Sequence, residues 1–189
     1  MKKRSWVITF SMLVVFSAIA FANDLYKVEL EHKGGDVTPQ QAYEMLKANP
    51  GHIFLVDVRT QFEYQDIGHP EGAINIPYKF YTTKVDEKGY KKTKNENFAN
   101  DLRARFNPET DTLLLICRSG KRSCEASTAA VDAGFNPEKV FNVMGGVEGD
   151  KVKDKDSPLH GQRMVNGWKN EKLPWTYSMD HKLMYQADL

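Results

Sequence analysis

Two short runs of mainly apolar residues constrain the fold of this chain more than any other feature of its sequence. They lie at Ile53–Val56 and Thr112–Ile116, and turn-forming residues flank both of them. A strand of a parallel sheet is buried on both faces and carries a continuous apolar run, whereas a strand with one solvated face alternates. We therefore expect both runs to be interior strands of a mainly parallel sheet covered by helices.

The segments around these runs carry helix signals. Thr38 is typical of an N-cap, Pro39 of the first helical position and Gln41 of a capping box, so a helix is expected to run to about Ala48. Further elements are predicted as a helical turn at 60–66, a strand at 73–76, helices at 98–106 and 123–133 with Gly134 as a C-cap, and a strand at 140–143. Strands and helices alternate, which predicts an α/β layered domain.

Two stretches between the predicted elements have the composition of loops. Residues 68–72 are rich in Gly and Pro, and residues 78–97 form a long polar segment dense in lysine. We interpret the second stretch as a solvated surface loop.

The first 22 residues differ in character from the rest of the chain. Basic residues at positions 2–4 precede an apolar run that ends in Ala20-Phe21-Ala22, an A-x-A cleavage pattern. This pattern predicts a cleavable signal peptide over residues 1–22, a polar lead at 23–35, and export to the periplasm or an equivalent compartment. An uncleaved membrane anchor is the alternative, because the run is close to the lower length limit for crossing a bilayer.

Charge and cysteine content narrow the function classes. Three of the 26 basic residues and none of the 25 acidic residues lie in the predicted signal peptide, which leaves 23 against 25 and a net charge of −2. Neither nucleic acid nor, after cleavage, a membrane is therefore an expected partner. Cys117 and Cys124 are too few for a disulfide framework and lack the four-ligand set of structural zinc. No metal is expected, and a chemical role for one cysteine is favoured.

Cys117 follows the second apolar run, and a short loop joins it to the next predicted helix. Ligands of parallel sheets bind beyond the carboxyl ends of the strands, where this residue lies. The loop contains Gly120 and the cations Arg118, Lys121 and Arg122. A curled loop of this kind directs several backbone N–H groups at the sulfur, and the helix dipole and the cations add positive potential. Such settings lower a cysteine pKa from about 8.5 to roughly 3.5–7.5, so a nucleophilic thiolate is expected.

Several motifs together resemble the rhodanese family. They are Leu55-Val56-Asp57-Val58-Arg59 with Glu63-Tyr64, Gly68-His69-Pro70-Glu71-Gly72-Ala73-Ile74-Asn75-Ile76-Pro77, the loop Cys117-Arg118-Ser119-Gly120-Lys121-Arg122-Ser123, Gly145-Gly146-Val147, and the segment from Gly167-Trp168 to Leu173-Pro174. The last segment resembles the closing helix and exit of that domain. The resemblance covers residues 36–174 and implies a rhodanese-like three-layer α/β domain with a central, mainly parallel sheet flanked by helices.

The resemblance also implies an activity. In the rhodanese family the loop cysteine takes sulfane sulfur from a donor such as thiosulfate, holds it as a persulfide and passes it to a thiophilic acceptor. This assigns the catalytic role to Cys117 and substrate binding to the rest of the loop, Arg118, Ser119, Gly120, Lys121, Arg122 and Ser123. The implied partners are a small anionic sulfur donor and a thiol or cyanide acceptor, and no cofactor is required. A non-catalytic carrier that delivers persulfide sulfur to a partner protein is the alternative function.

The length of the loop separates sulfur transfer from phosphatase chemistry. Phosphatases of the cell-cycle type resemble this fold but place five residues between the cysteine and an arginine that together cradle phosphate. Here Arg122 comes after four intervening residues, and Ser123 occupies the next position. The tighter loop suits a sulfur atom better than a tetrahedral oxyanion.

The other polar motif residues and the second cysteine are assigned structural roles. Asp57, Arg59 and His69 are expected to tie loops together by hydrogen bonds. Cys124 is expected to be a small buried hydrophobe, and a resolving thiol is the alternative.

Two segments exceed what a simple rhodanese domain requires. Residues 149–166 form an insertion, which we interpret as a solvated surface loop. The tail at 175–189 is expected to pack back onto the domain.

Overall fold

The fold is described from a computed structural model over residues 26–186, so the predicted signal peptide lies outside the described residues. In chain order the elements are β1 (Gly35–Val37), α1 (Pro39–Ala48), β2 (Ile53–Asp57), α2 (Gln61–Asp66), β3 (His69–Pro70), β4 (Ile74–Asn75), β5 (Lys79–Asp86), β6 (Gly89–Lys94), α3 (Phe98–Arg105), β7 (Thr112–Ile116), α4 (Lys121–Asp132), a 3₁₀ turn (Pro137–Lys139), β8 (Val140–Val143), β9 (Asp150–Lys151), β10 (Arg163–Val165) and β11 (Trp175–Thr176). Within residues 26–186, no helix has the length and apolar character that a membrane span requires.

A five-stranded parallel sheet forms the centre of the molecule, in the order β1-β8-β7-β2-β4. The two apolar runs lie next to each other in it, since β2 pairs with β7 from Ile53 opposite Thr112 to Asp57 opposite Ile116. Four consecutive residues of β7, 113–116, are fully buried. The prediction of interior parallel strands is confirmed, because only a strand covered on both faces buries consecutive side chains.

Helices cover both faces of the sheet, which gives the expected three layers. One core cluster joins the sheet to α3 and α4, and a second joins it to α1, α2 and the buried ring of Trp168. The predicted capping box of α1 is present, with Thr38 as N-cap and Gln41 reaching back to its backbone. Ala133 is the C-cap of α4, one residue before the predicted Gly134, which follows it with φ 96°, and the Phe135 amide hydrogen-bonds to the carbonyl of Ala130.

The lysine-rich segment at 78–97 is not the surface loop that we expected. It forms a two-stranded antiparallel hairpin, β5 and β6, with Lys79 opposite Lys94 and Asp86 opposite Gly89. Most of its side chains are exposed on both faces of the ribbon, so no apolar alternation marks its strands. Tyr, Thr and Val residues favour extended structure here, and the lysines mask that preference when the segment is judged by its polarity.

Two further segments differ from expectation. The insertion at 149–166 begins and ends in the short antiparallel pair β9 and β10, so it is a small hairpin with a long connection and not an irregular loop throughout. The segment from Gly167 to Pro174 forms hydrogen-bonded turns where a closing helix was expected. Lys172 has φ 57°, a left-handed conformation that a right-handed helix cannot contain.

The tail packs back onto the domain, as predicted. Its strand β11 pairs antiparallel with β3, which lies in the Gly- and Pro-rich stretch 68–72. Farther along, the Arg105 guanidinium donates to the carbonyls of Lys182 and Met184. The tail therefore ties β3 and α3 together on one side of the molecule.

Candidate active site

Cys117 lies where the central strand β7 ends and α4 begins. Three residues separate it from the helix, and the last of them, Gly120, is the N-cap with φ 100°. The helix therefore starts at Lys121, two residues before the predicted start at Ser123. Lys121 and Arg122 belong to its first turn and not to the loop, because the positive φ of Gly120 completes the turn of the chain by itself.

The Cys117 sulfur accepts one hydrogen bond from the backbone and has one hydroxyl oxygen beside it. The Gly120 amide nitrogen lies 3.2 Å from it and the Ser123 hydroxyl oxygen 3.4 Å. We expected several inward amides, but among residues 26–186 the Gly120 amide is the one within hydrogen-bonding distance. The next residues are already helical, so the loop is too short to turn more amides toward the sulfur. The cradle therefore has one backbone donor to the sulfur, the Gly120 amide.

Ser123 is held in place by a polar pair that was not predicted from the sequence. Its hydroxyl oxygen lies 2.6 Å from the side-chain oxygen of Asn142 in β8 and 2.8 Å from the Gly120 carbonyl oxygen. Both are acceptors closer than the Cys117 sulfur, so the single hydroxyl hydrogen points to one of them and not to the sulfur. The Asn142 amide nitrogen donates to Asp36 at 2.8 Å. Ser123 and Asn142 are fully buried, and Asp36 is half-buried. A polar residue between apolar residues of the predicted strand at 140–143 is the signal that could have identified Asn142, since buried polar groups need partners.

Arg122 does not face the substrate space as a free cation. Its guanidinium forms two hydrogen bonds with the Glu63 carboxylate of α2, at 2.6 and 2.7 Å. Burial on its own would lower the pKa of Arg122, but the hydrogen bond and charge of Glu63 and the charge of Cys117 raise it. Burial likewise favours a high pKa for Glu63, yet Arg122 and Lys92 lower that pKa to about 2. Both groups are therefore ionised, and the pair anchors the first turn of α4 to α2.

The space above Cys117 is a basic pocket of about 320 Å³. Its lining residues are Lys79, Lys92, Cys117, Arg118, Ser119, Lys121, Arg122 and Glu125. Lys79 and Lys92 come from the β5–β6 hairpin, and they were not predicted as site residues because that segment was expected to be a surface loop. Lys79 pairs with Glu125, and the Lys92 ammonium lies 3.4 Å from Glu63. The cations outnumber the carboxylates, so the pocket favours an anion.

A second loop supports the Cys117 loop from below. The amides of Val147 and Glu148 donate to the carbonyls of Cys117 and Arg118, at 2.8 and 2.9 Å. Gly146 brings the two backbones together: a Cβ there would lie 2.3 Å from the Cys117 carbonyl oxygen. The Glu148 carboxylate also lies 4.0 Å from Arg118 and 3.7 Å from Arg163 of the insertion. The glycine pair singled out in the sequence therefore forms the floor of the site.

The residues assigned structural roles have them. Arg59 and Asp57 are fully buried and form an ion pair, and Arg59 also donates to the Gly68 carbonyl at 2.8 Å. His69 is buried and stacked on the ring of Tyr64, with 3.7 Å between the ring centroids, and burial lowers its pKa. These side chains join β2, α2 and β3.

Cys124 is buried in α4, and its thiol is free in the structure, as is that of Cys117. Burial raises the pKa of the Cys124 thiol to about 11. A buried thiol with so high a pKa is almost entirely protonated at neutral pH, which makes it a poor nucleophile. This agrees with the expected role of a small buried hydrophobe.

Comparison with known proteins agrees with this geometry. The family model described as "Rhodanese-like domain" matches residues 38–153. Protein RP600 of Rickettsia prowazekii is 30% identical over 143 residues, which span 75% of this chain and 97% of that protein. Thiosulfate sulfurtransferase 18 of Arabidopsis thaliana is 40% identical over 112 residues, which span 58% of this chain and 73% of that protein.

A solved structure shows the same fold. The crystal structure of Rv0390 from M. tuberculosis has a TM-score of 0.58 to this chain at 34% sequence identity, and the match covers 77% of this chain and 99% of that one. Together the family model and the relatives support a role in sulfur transfer, and the chain belongs to the rhodanese-like domain family.

Proposed function

We propose that the protein is a sulfurtransferase that moves sulfane sulfur from thiosulfate or a related small anionic donor to a thiophilic acceptor through a persulfide on Cys117. One observation carries the proposal: the Cys117 sulfur lies at the base of a basic pocket with the Gly120 amide directed at it. The similarity to a thiosulfate sulfurtransferase supports the same chemistry.

In the loading step the Cys117 thiolate attacks the outer sulfur of the donor. A new S–S bond forms, and the bond between the outer sulfur and the sulfonate sulfur breaks, with its electron pair leaving on sulfite. The Gly120 amide and the cations around the pocket stabilise the negative charge on the persulfide. Arg118 and Lys121 are exposed and can bind the anionic donor, whereas Arg122 keeps the loop in place through Glu63.

In the unloading step the acceptor attacks the outer sulfur of the persulfide. The S–S bond to Cys117 breaks, its electron pair returns to Cys117 as the thiolate, and the sulfur leaves on the acceptor. With cyanide as acceptor the product is thiocyanate, and with a thiolate it is a new persulfide. No cofactor enters either step.

The decisive experiment is the mass of the peptide containing Cys117 after incubation with thiosulfate, polysulfide and mercaptopyruvate in turn. We expect one added sulfur atom on Cys117 and multiple turnovers when cyanide is supplied. Cys117→Ser should abolish both while the protein remains folded. Loading without turnover on free acceptors would favour the carrier function, and normal transfer by Cys117→Ser would exclude Cys117 as the nucleophile.

A further inference from the structure

A second groove opens beside the Cys117 pocket, along the β5–β6 hairpin. It has a volume of about 860 Å³, against about 320 Å³ for the Cys117 pocket. Lys92 and Arg118 line both spaces, so the groove continues into the pocket. The smaller pocket is sufficient for a donor the size of thiosulfate. The groove has the size of a site for a drug-sized molecule or a short peptide segment, and the two steps described above do not use it.

Exposed aromatic rings line this groove. Phe62 on α2 and Tyr90 on β6 are each 67% exposed, and Tyr81 on β5 is 42% exposed. Most large apolar side chains of the described part of the chain are buried or half-buried, so three exposed rings along one groove are unusual. Exposed aromatic clusters of this kind are characteristic of surfaces that bind a partner.

The groove is also positively charged. Lys88, Lys92 and Arg118 line it, and none of its described lining residues is acidic. The whole hairpin, residues 79–94, carries six lysines against two acidic residues, although the chain without its predicted signal peptide has a net charge of −2. The local excess of positive charge favours an acidic occupant.

Burial of the nucleophile restricts how an acceptor can approach. Cys117 is 1% exposed, so the bulk of a folded partner protein cannot reach its sulfur directly. An extended segment can enter, with its backbone along the groove and one side chain directed into the pocket. The persulfide shortens the distance that the acceptor must enter, because its outer sulfur lies one bond farther toward the pocket mouth than the Cys117 sulfur.

We propose that this groove binds the sulfur acceptor, and that the acceptor is an acidic, cysteine-containing segment of a protein. The proposal rests on the sulfurtransferase function. The acceptor thiolate attacks the outer sulfur of the Cys117 persulfide, the new S–S bond forms on the acceptor, and the electron pair of the old bond returns to Cys117. The rings contact the segment and the cations pair with its carboxylates.

Binding is tested without any chemistry. The probe is a fluorescently labelled peptide in which glutamates flank a serine that replaces the cysteine, and a second peptide carries lysines in their place. Lys88→Glu and Tyr90→Ser remove groove contacts outside the Cys117 pocket. Lys91→Glu is the matched control for Lys88→Glu, because it makes the same charge change in the same hairpin. Lys91 lies between Tyr90 and Lys92 in β6, so its side chain points to the opposite face and does not line the groove.

At low ionic strength, fluorescence anisotropy should show that the wild-type protein prefers the acidic peptide. Lys88→Glu and Tyr90→Ser should each weaken its binding about fivefold or more, and Lys91→Glu by less than about twofold. Equal binding of the acidic and basic peptides, or equal effects of Lys88→Glu and Lys91→Glu, would overturn the proposal.

Transfer is then measured from the preloaded Cys117 persulfide to the acidic peptide with its cysteine restored. The kcat/KM for this peptide should fall in Lys88→Glu by the same factor as binding, while the rate with cyanide stays at the wild-type value. An equal loss with cyanide would place Lys88 in the general chemistry and overturn an acceptor groove. A wild-type protein that forms no persulfide would instead refute the sulfurtransferase function, and the anisotropy experiment would still decide whether the groove binds acidic segments.

Discussion

The ion pair between Glu63 and Arg122 holds the beginning of α4 against α2, and with it the loop that carries Cys117. Both side chains are largely buried, at 8% and 14% exposure, and the contact is a two-point one between guanidinium and carboxylate. Removing one partner of such a pair leaves a buried charge without a counter-charge, which strongly lowers the free energy of unfolding. Replacing both partners with apolar residues has a much smaller effect. The pair therefore holds the Cys117 loop in position, and Glu63 acts through Arg122.

Glu63→Gln should destabilise the protein by about 3 kcal/mol at pH 7, because Arg122 then lacks its counter-charge. The folded-state pKa of Glu63, about 2, lies below its ordinary value of 4.5. The carboxylate therefore contributes its full stability above about pH 4.5 and loses it as pH falls toward 2. Urea unfolding of the wild-type protein and of Glu63→Gln across this pH range should show that the difference between their free energies of unfolding shrinks as pH falls.

Glu125→Gln provides the comparison for this experiment. Glu125 pairs with Lys79, but both side chains are about a quarter exposed, and a pair in contact with water contributes about 1 kcal/mol or less. Equal losses of stability in the two variants, or a Glu63→Gln effect that does not depend on pH, would contradict a special role for the buried pair.

Cys124→Ala should retain most of the sulfurtransferase activity and lose on the order of 1 kcal/mol of stability, as expected for a small buried side chain. The protein isolated after export should contain no bridge between Cys117 and Cys124, because the Cys124 thiol is fully buried and its pKa is raised to about 11. Peptide mapping under non-reducing conditions tests this directly. A stoichiometric bridge that opens on reduction would identify a redox switch.

At the scale of elements, the site depends on how closely two loops approach each other. The Cys117 loop rests on the turn after β8, and at Gly146 an added Cβ would lie 2.3 Å from the Cys117 carbonyl oxygen and 2.7 Å from backbone atoms of Arg118 and Ser119. Backbone atoms cannot rotate away as a side-chain end does. The two loops would have to separate, and the separation would displace the Cys117 sulfur from the Gly120 amide.

Gly146→Ala should therefore reduce sulfur transfer at least tenfold, since misplacement of about 1 Å in a catalytic group costs rates of this size or more. Gly161→Ala is the matched control: it has a similar positive φ, 79° against 59°, but no atom lies within 4 Å of the place that its added Cβ would occupy. The control should show only backbone strain, about 1 kcal/mol, with normal activity. Kinetics and thermal unfolding of both variants separate the two effects.

The hairpin β5–β6 shows which elements a single sequence identifies poorly. Interior strands such as β7 are recognisable because both faces are covered by helices, and this burial favours a continuous run of apolar side chains. The hairpin is stabilised by its own ladder and is largely exposed, so its composition is that of a loop. Lys79 and Lys92, which line the Cys117 pocket, were missed because the strands that carry them were not recognised.

At the scale of the whole molecule, four of the five central strands, the four helices of residues 26–186 and the position of Cys117 at the end of β7 could be predicted from the sequence, whereas the edge strand β1 was not predicted. These features follow from local periodicity and capping signals, which extend over a few residues. The partners of Arg122 and Ser123 could not, because Glu63 and Asn142 are far away along the chain and meet them only in the folded state. Because of such a contact, Arg122 anchors α4 to α2, whereas the sequence alone predicted that it binds substrate.

We propose that the whole chain is exported and that its first 22 residues are removed. The basic start, the apolar run and the small residues Ala20 and Ala22 motivate this prediction. When the full chain is expressed in a bacterium with a periplasm, the periplasmic protein should begin at Asn23, as N-terminal sequencing and intact mass would show. The predicted net charge of −2 for this form follows from the same cleavage.

Substitution at the cleavage site separates a signal peptide from a membrane anchor. Ala20→Lys with Ala22→Lys should leave the precursor uncleaved and in the membrane fraction, because signal peptidase requires small residues at these positions. Ala20→Ser with Ala22→Gly keeps both residues small, and this control should be cleaved like the wild-type protein. Wild-type protein recovered at full length from membranes would show that the apolar run is an anchor. The Cys117 site would then act at a membrane surface, and its sulfur donor and acceptor would have to meet it there.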